Sequence, residues 1–217
     1  MKTNIAYIPA LRWNGLTPFY DLVLSKGMRE ERFKRELIRQ ARIEPGQSVL
    51  DLGCGTATLT VMLKQAHPDA NITGLDGDPA VLQIGRAKAD TARVRLILDQ
   101  GMAYDLPYPD GSFDRVVSSL MFHHLTTQQK LQAIKEVYRV LRPGGLFLIV
   151  DFGQPRGIWS RLVSPIMERL EEVSDNHKGL LLAMLRLAHF EGVTNSIYFA
   201  TIFGTLSLYS GQKNRLK

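Results

Sequence analysis

One cysteine, Cys54, is the only thiol in a chain of 217 residues. That rules out an internal disulfide and leaves too little sulfur for a cysteine zinc site, so a reducing cytoplasmic setting and no metal centre are expected. No run of about 18 apolar residues occurs, which removes a membrane-spanning helix from the expected elements. The first residues lack a basic segment followed by an apolar stretch, so no signal peptide is expected. Internal repeats and low-complexity segments are lacking too, leaving no sign of a repeat array.

What is present points to a folded chain. Hydrophobic residues make up 45% and charged ones 22%, ordinary values for a globular protein, and the length suits one domain. Its 27 Lys and Arg outnumber 21 Asp and Glu, giving a net charge of +6. Such an excess suits anionic partners or a negatively charged membrane, but the basic residues are spread along the chain. No dedicated nucleic-acid module is read, peripheral membrane contact stays open, and the oligomeric state is not legible.

Residues 1–30 carry scattered aromatics and two prolines and read as an arm. From 29 to 42, Phe33, Leu37 and Ile38 recur at helical spacing. Residues 48–52 read as a strand, 58–66 as a helix, 71–76 as a second strand, and Pro79 as the start of another helix. Residues 94–98 and 113–118 read as strands three and four. Thr126 or Thr127 caps a helix with Leu131, Ile134, Val137 and Leu141 on one face, stopped by Pro143-Gly-Gly145.

The apolar run 146–150 suits a strand buried on both sides. Alternating strands and helices over 30–152 predict an α/β fold with a doubly wound, mostly parallel sheet. Residues 157–191 read as a helical cap insertion broken near Ser174-Asp-Asn176 and at Gly179, and 193–211 as a closing hairpin around Gly204.

Two features of this core carry chemistry. Gly53 and Gly55 sit where a strand must turn sharply and a ligand can approach bare backbone. In a dinucleotide fold a third glycine would fall at residue 58, which is Thr58, so the pyrophosphate fingerprint is incomplete. Asp51 ends the first strand and Asp76 the second, and a carboxylate there can accept from both hydroxyls of a ribose.

In this setting the chain resembles the class I S-adenosylmethionine-dependent methyltransferases. The resemblance runs through Val49-Leu-Asp-Leu-Gly-Cys-Gly-Thr56, Gly74-Leu-Asp-Gly-Asp78, Leu106-Pro-Tyr-Pro-Asp-Gly-Ser-Phe-Asp114 and Val140-Leu-Arg-Pro-Gly-Gly145, spanning roughly residues 30 to 152. It implies a seven-stranded Rossmann-like sheet with an antiparallel last strand, and S-adenosyl-L-methionine as cofactor. Asp51, Gly53, Cys54 and Gly55 would surround its methionine moiety. Asp76 would hold the ribose, Gly77 and Asp78 would follow at the adenosine edge, and Ser118 would face the methionine end.

Tyr20 resembles an amino-terminal residue that folds over the cofactor. Gly101-Met-Ala103 departs from the family's Gly-Asp-Ala, so Met102 packs on adenine in place of an acceptor, with Asp99 or Asp105 as substitutes. Ala57 replaces another frequent glycine. The pattern looks closest to ubiquinone and menaquinone biosynthesis methyltransferases, implying a small apolar acceptor, quinone-like or lipid-like.

Methyl transfer needs alignment more than a base, but a neutral imidazole can remove an acceptor's proton. His123 and His124, just after the fourth strand, are the candidates, with simple packing as the bland reading. Residues 180–187 read as a buried cap helix, with an oily pocket or membrane-facing surface as the alternative. A nicotinamide-dependent oxidoreductase and a catalytically inactive cofactor-binding module remain the competing functions.

Overall fold

The computed structural model describes the backbone of residues 30–170 and 173–215, and the side chains of these except 166–170. Helix α1 (Glu30–Ala41) leads into strand β1 (Ser48–Leu52), followed by α2 (Thr58–Ala66), β2 (Asn71–Asp76), α3 (Pro79–Thr91), β3 (Ile97–Gln100) and β4 (Phe113–Ser119). A short 3₁₀ turn (Phe122–His124) precedes α4 (Thr127–Val140) and β5 (Leu141–Phe152). Helices α5 (Gly157–Leu170), α6 (Ser174–His177) and α7 (Leu180–Leu187) separate β5 from the hairpin β6 (Glu191–Thr201) and β7 (Gly204–Gln212).

The seven strands run in the order β3-β2-β1-β4-β5-β7-β6. Pairs from β3 through β5 are parallel, while β7 lies antiparallel to both β5 and β6. Strand order reverses between β1 and β4, the place where such sheets open a ligand crevice at the strands' carboxyl ends.

Period-two alternation sorts the strand side chains into two buried clusters. Val49, Val117, Leu148 and Val150 face Phe33, Leu37 and Ile38 of α1 with Leu59 and Leu63 of α2. Leu50, Val116, Phe147 and Ile149 face Ile134 and Val137 of α4 with Leu181 and Leu185 of α7. By the same parity Asp51 belongs to the α1/α2 face and Asp151 to the α4/α7 face.

Several expected boundaries shift. The third strand starts at Ile97, not at 94, because Val94 still donates to the Ala89 carbonyl after Arg93 turns left-handed (φ 55°), extending the helix exit. The fifth strand runs from Leu141, through Pro143-Gly-Gly145, where a register irregularity against β4 absorbs the glycines. The expected break near Ser174-Asp-Asn176 is itself a helical turn, with Asn176 buried. Leu181, Met184 and Leu185 of α7 are packed in the core, as a buried cap helix requires, while Leu180 and Leu187 stay exposed.

Candidate active site

The β1–α2 turn is shaped by backbone conformation. Gly53 (φ 71°), Gly55 (φ 52°) and Ala57 (φ 58°) are all left-handed, a region that suits glycine and costs alanine about 1–2 kcal/mol. Gly53 and Cys54 both donate to the Leu75 carbonyl, at 2.8 and 3.0 Å, which ties the turn to the end of β2. A Cβ placed on Gly55 would meet no atom within 4 Å, so open space lies above the turn there. On Gly53 it would collide with Met121 Cγ, so Met121 covers that glycine.

Asp76 is held from two sides. Gly55 N–H donates to its Oδ2 at 2.8 Å and Asp78 N–H to its Oδ1 at 3.0 Å. Each oxygen keeps a free lone pair, and two outward lone pairs on one carboxylate suit a vicinal diol. Asp78 also caps α3 by accepting from the Ala80 N–H, and the Gly77 carbonyl accepts from Gln100 Nε2. Lys88 of α3 donates to the hydroxyls of Thr56 and Thr58, at 2.8 and 2.6 Å, clamping the turn from a helix 30 residues away in sequence.

Asp51 is buried beneath this turn and accepts from Thr60 Oγ1 at 2.6 Å. Burial pushes its carboxyl up to about 6, with the Asp76 charge acting the same way and Thr60 and Lys34 opposing. Lys34 in turn pairs with Glu30. Burial, with Asp51 and Asp76 nearby, raises the Cys54 thiol, so it stays protonated and acts as a small residue under Gly74.

β4 exits through Leu120, whose left-handed backbone (φ 56°) donates to the Val150 carbonyl at 2.8 Å. This turn sends Met121 over Gly53 and His123 onto β5. His123 Nδ1 lies 2.9 Å from Asp151 Oδ1, which also accepts from Phe152 N–H at 2.7 Å and from Asn176 Nδ2 at 3.2 Å.

Burial disfavours the Asp151 charge, but His123 and the Phe152 N–H outweigh it, and the carboxyl stays below its ordinary value. An ionised carboxylate only accepts, so neutral His123 carries its proton on Nδ1 and a lone pair on Nε2. Its ring meets Phe152 edge-on at 5.0 Å and lies 3.9 Å from the His124 ring.

The structure thus brings together Gly53, Cys54 and Gly55 after β1 with Asp76, Gly77 and Asp78 at the end of the adjacent β2, with Asp51 beneath them. It places His123 and His124 at the neighbouring end, across Met121. Gly101 donates to the Asp76 carbonyl, and Met102 is half-buried at the next turn, bridged to Asp105. Asp99 accepts from the Tyr108 hydroxyl at 2.9 Å, whereas Asp105 is exposed.

Ser118 is buried and its hydroxyl donates to the Leu52 carbonyl at 2.8 Å, pinning β4 to β1. The next residue, Ser119, has a buried hydroxyl with no partner among the described residues. Tyr20 lies outside the described residues.

Three contributors escaped the sequence reading: Asp151, Asn176 and Lys88. Asp151 had a signal, since it ends an apolar strand as Asp51 and Asp76 do. Among the described residues no group of three or more His, Cys, Asp or Glu could hold a metal ion, and no helix is long and apolar enough to cross a membrane.

Comparison with known proteins matches this geometry. Residues 49–145 match a family described as a methyltransferase domain. An uncharacterized methyltransferase of Synechocystis is 43% identical over 126 residues, 58% of this chain and 57% of that protein. A demethylmenaquinone methyltransferase of Listeria welshimeri is 38% identical over 128 residues, 57% of this chain and 52% of that protein.

The chain therefore spans little more than half the length of these curated relatives. The apo structure of the S-adenosylmethionine-dependent methyltransferase SibL superposes with a TM-score of 0.72 at 22% identity, covering 94% of this chain and 60% of that one. At that identity the likeness is one of fold.

Proposed function

We propose, since this chain belongs to the class I S-adenosylmethionine-dependent methyltransferases, that it methylates a small apolar acceptor of quinone-like or lipid-like character. The cofactor reading is carried by Asp76, preset by the Gly55 and Asp78 N–H groups with one lone pair of each oxygen left outward. Asp76 would hold the ribose, the bare turn at Gly55 would admit the amino-acid end, and buried Asp51 would supply negative potential beneath it. Met102 would pack on the adenine. S-adenosylmethionine supplies an electrophilic methyl group on a sulfonium.

This chain's own residues then have defined tasks. Asp151 fixes the His123 tautomer, and Nε2 of His123 accepts the acceptor's proton from an acidic carbon or a phenol. Phe152, edge-on to the imidazole, and Met121, over Gly53, would supply apolar contacts to the acceptor. Asn176, from the helical insertion, steadies Asp151.

The named Listeria relative acts on a demethylmenaquinone, and the Phe152 ring edge-on to the imidazole supports the same substrate class here. Contact with a membrane surface, from the cytoplasmic side, belongs to the same reading. The test is formation of S-adenosylhomocysteine from S-adenosylmethionine and a demethylated naphthoquinone. Turnover only with polar acceptors would sink the quinone-like assignment, and cofactor binding without turnover on any acceptor would favour an inactive binding module.

A further inference from the structure

Helix α5 is amphipathic the wrong way round. It turns Ser160 and Ser164 inward, where the Ser160 hydroxyl accepts from Thr205 Oγ1 at 3.0 Å and Ser164 donates to the Ser160 carbonyl at 2.7 Å. It turns Ile158, Trp159 and Leu162 outward at 80%, 60% and 65% exposure, beside Ile202 of the β6–β7 turn at 50%. Trp159 Nε1–H donates to the Ile202 carbonyl at 3.0 Å, which joins the two elements into one face. A helix that folds onto its own protein normally buries the apolar side, so this face is built for something outside the described fold.

Its charge says what. Arg156 and Arg161 flank the exposed apolar side chains, and the first acid along the helix, Glu168, comes six residues after Leu162. Both arginines are exposed, and Arg156 lies over the Tyr198 ring at 3.5 Å. We propose that Ile158, Trp159, Leu162 and Ile202, flanked by Arg156 and Arg161, form a docking face for an anionic lipid bilayer.

A tryptophan with its polar edge satisfied, aliphatic side chains beside it and arginines at the rim suit the headgroup boundary. A second copy of the chain fits poorly, because a two-fold contact through this face brings its arginines toward their own symmetry mates. The inference deepens the apolar-acceptor reading and rests on it for its purpose, since such acceptors dissolve in the bilayer.

Binding is read without turnover, so the two claims fail separately. The full chain is sedimented with phosphatidylcholine vesicles with and without phosphatidylglycerol, and Trp fluorescence is followed in W159F as control. We expect salt-sensitive binding to the anionic vesicles and a vesicle-induced blue shift that W159F loses. The I158S/L162S and R156Q/R161Q variants should each lose at least about tenfold in partitioning, in line with removing buried apolar area or two surface charges.

S-adenosylhomocysteine affinity should stay unchanged in both variants, which also shows that they fold. Wild-type protein that ignores both vesicles, or variants that bind as well as wild type, would overturn the proposal. So would a wild-type oligomer that I158S/L162S converts to monomer.

Discussion

Asp51→Asn should stabilise the fold at neutral pH, an uncommon outcome at a buried, hydrogen-bonded position. Burial raises this carboxyl from 3.8 to about 6. At about 1.4 kcal/mol per tenfold change in proton affinity, that costs the ionised fold about 3 kcal/mol. Below about pH 4 the folded and unfolded chains both hold the proton, and the penalty is absent. Between there and about pH 6 the folded chain holds more protons than the unfolded one, so stability falls as pH rises, and above it the whole penalty stands.

Asparagine is neutral at every pH, and its carbonyl oxygen still accepts from Thr60. A chain of this size gains about 2–4 °C in Tm per kcal/mol, so the variant should melt about 6–12 °C higher near pH 8 and level with wild type near pH 4. Scanning calorimetry across that range is the assay. S-adenosylhomocysteine should then raise the Tm of the variant less than that of wild type, because the negative potential beneath the turn is gone. A variant no more stable than wild type near pH 8, or a gap that does not change with pH, would refute the reasoning.

Other outcomes follow from the same geometry. Asp76→Ala should weaken S-adenosylhomocysteine binding about 10–100-fold by calorimetry, the value of charged hydrogen bonds to a diol. Asp151→Ala should lower kcat about 10²–10⁴-fold with cofactor affinity retained, because the imidazole loses the acceptor that fixes its tautomer. Gly53→Ala should destabilise strongly, since the added methyl meets Met121 and φ is 71°, and Met121→Ala should restore part of the loss in urea unfolding. Ala57→Gly should be stabilising by about 0.5–1 kcal/mol, reversing the usual helix penalty, because residue 57 is left-handed at the start of α2.

Much of the framework was legible because it is local. Apolar alternation and glycine turns placed β1, β2, β4 and β5, and acids at strand ends pointed to Asp51 and Asp76. The antiparallel last strand came with the family resemblance and stands in the structure. What the sequence withheld is set by contacts between distant residues. Nothing local says that Lys88 reaches back to Thr56 and Thr58, or that Asn176 of the insertion meets Asp151.

The family resemblance set Ser118 at the methionine end; its hydroxyl meets the Leu52 carbonyl, a contact between distant residues, and the buried Ser119 hydroxyl has no partner among the described residues. The membrane face was sought in the leucine-rich residues 180–187, which hydropathy favours. Tertiary packing buries Leu181 and Leu185 in the core and leaves Leu180 and Leu187 exposed, while α5 exposes Ile158, Trp159 and Leu162 together.

The central claim is that the turn between β1 and α2, with Asp76 beside it, is a nucleoside cradle for S-adenosylmethionine. Isothermal titration of the full chain with S-adenosylhomocysteine, against NADH as competitor, tests it most directly. The account predicts one-to-one binding of S-adenosylhomocysteine that Asp76→Ala weakens and NADH does not displace. Absence of that binding, or tighter binding of NADH, would contradict it.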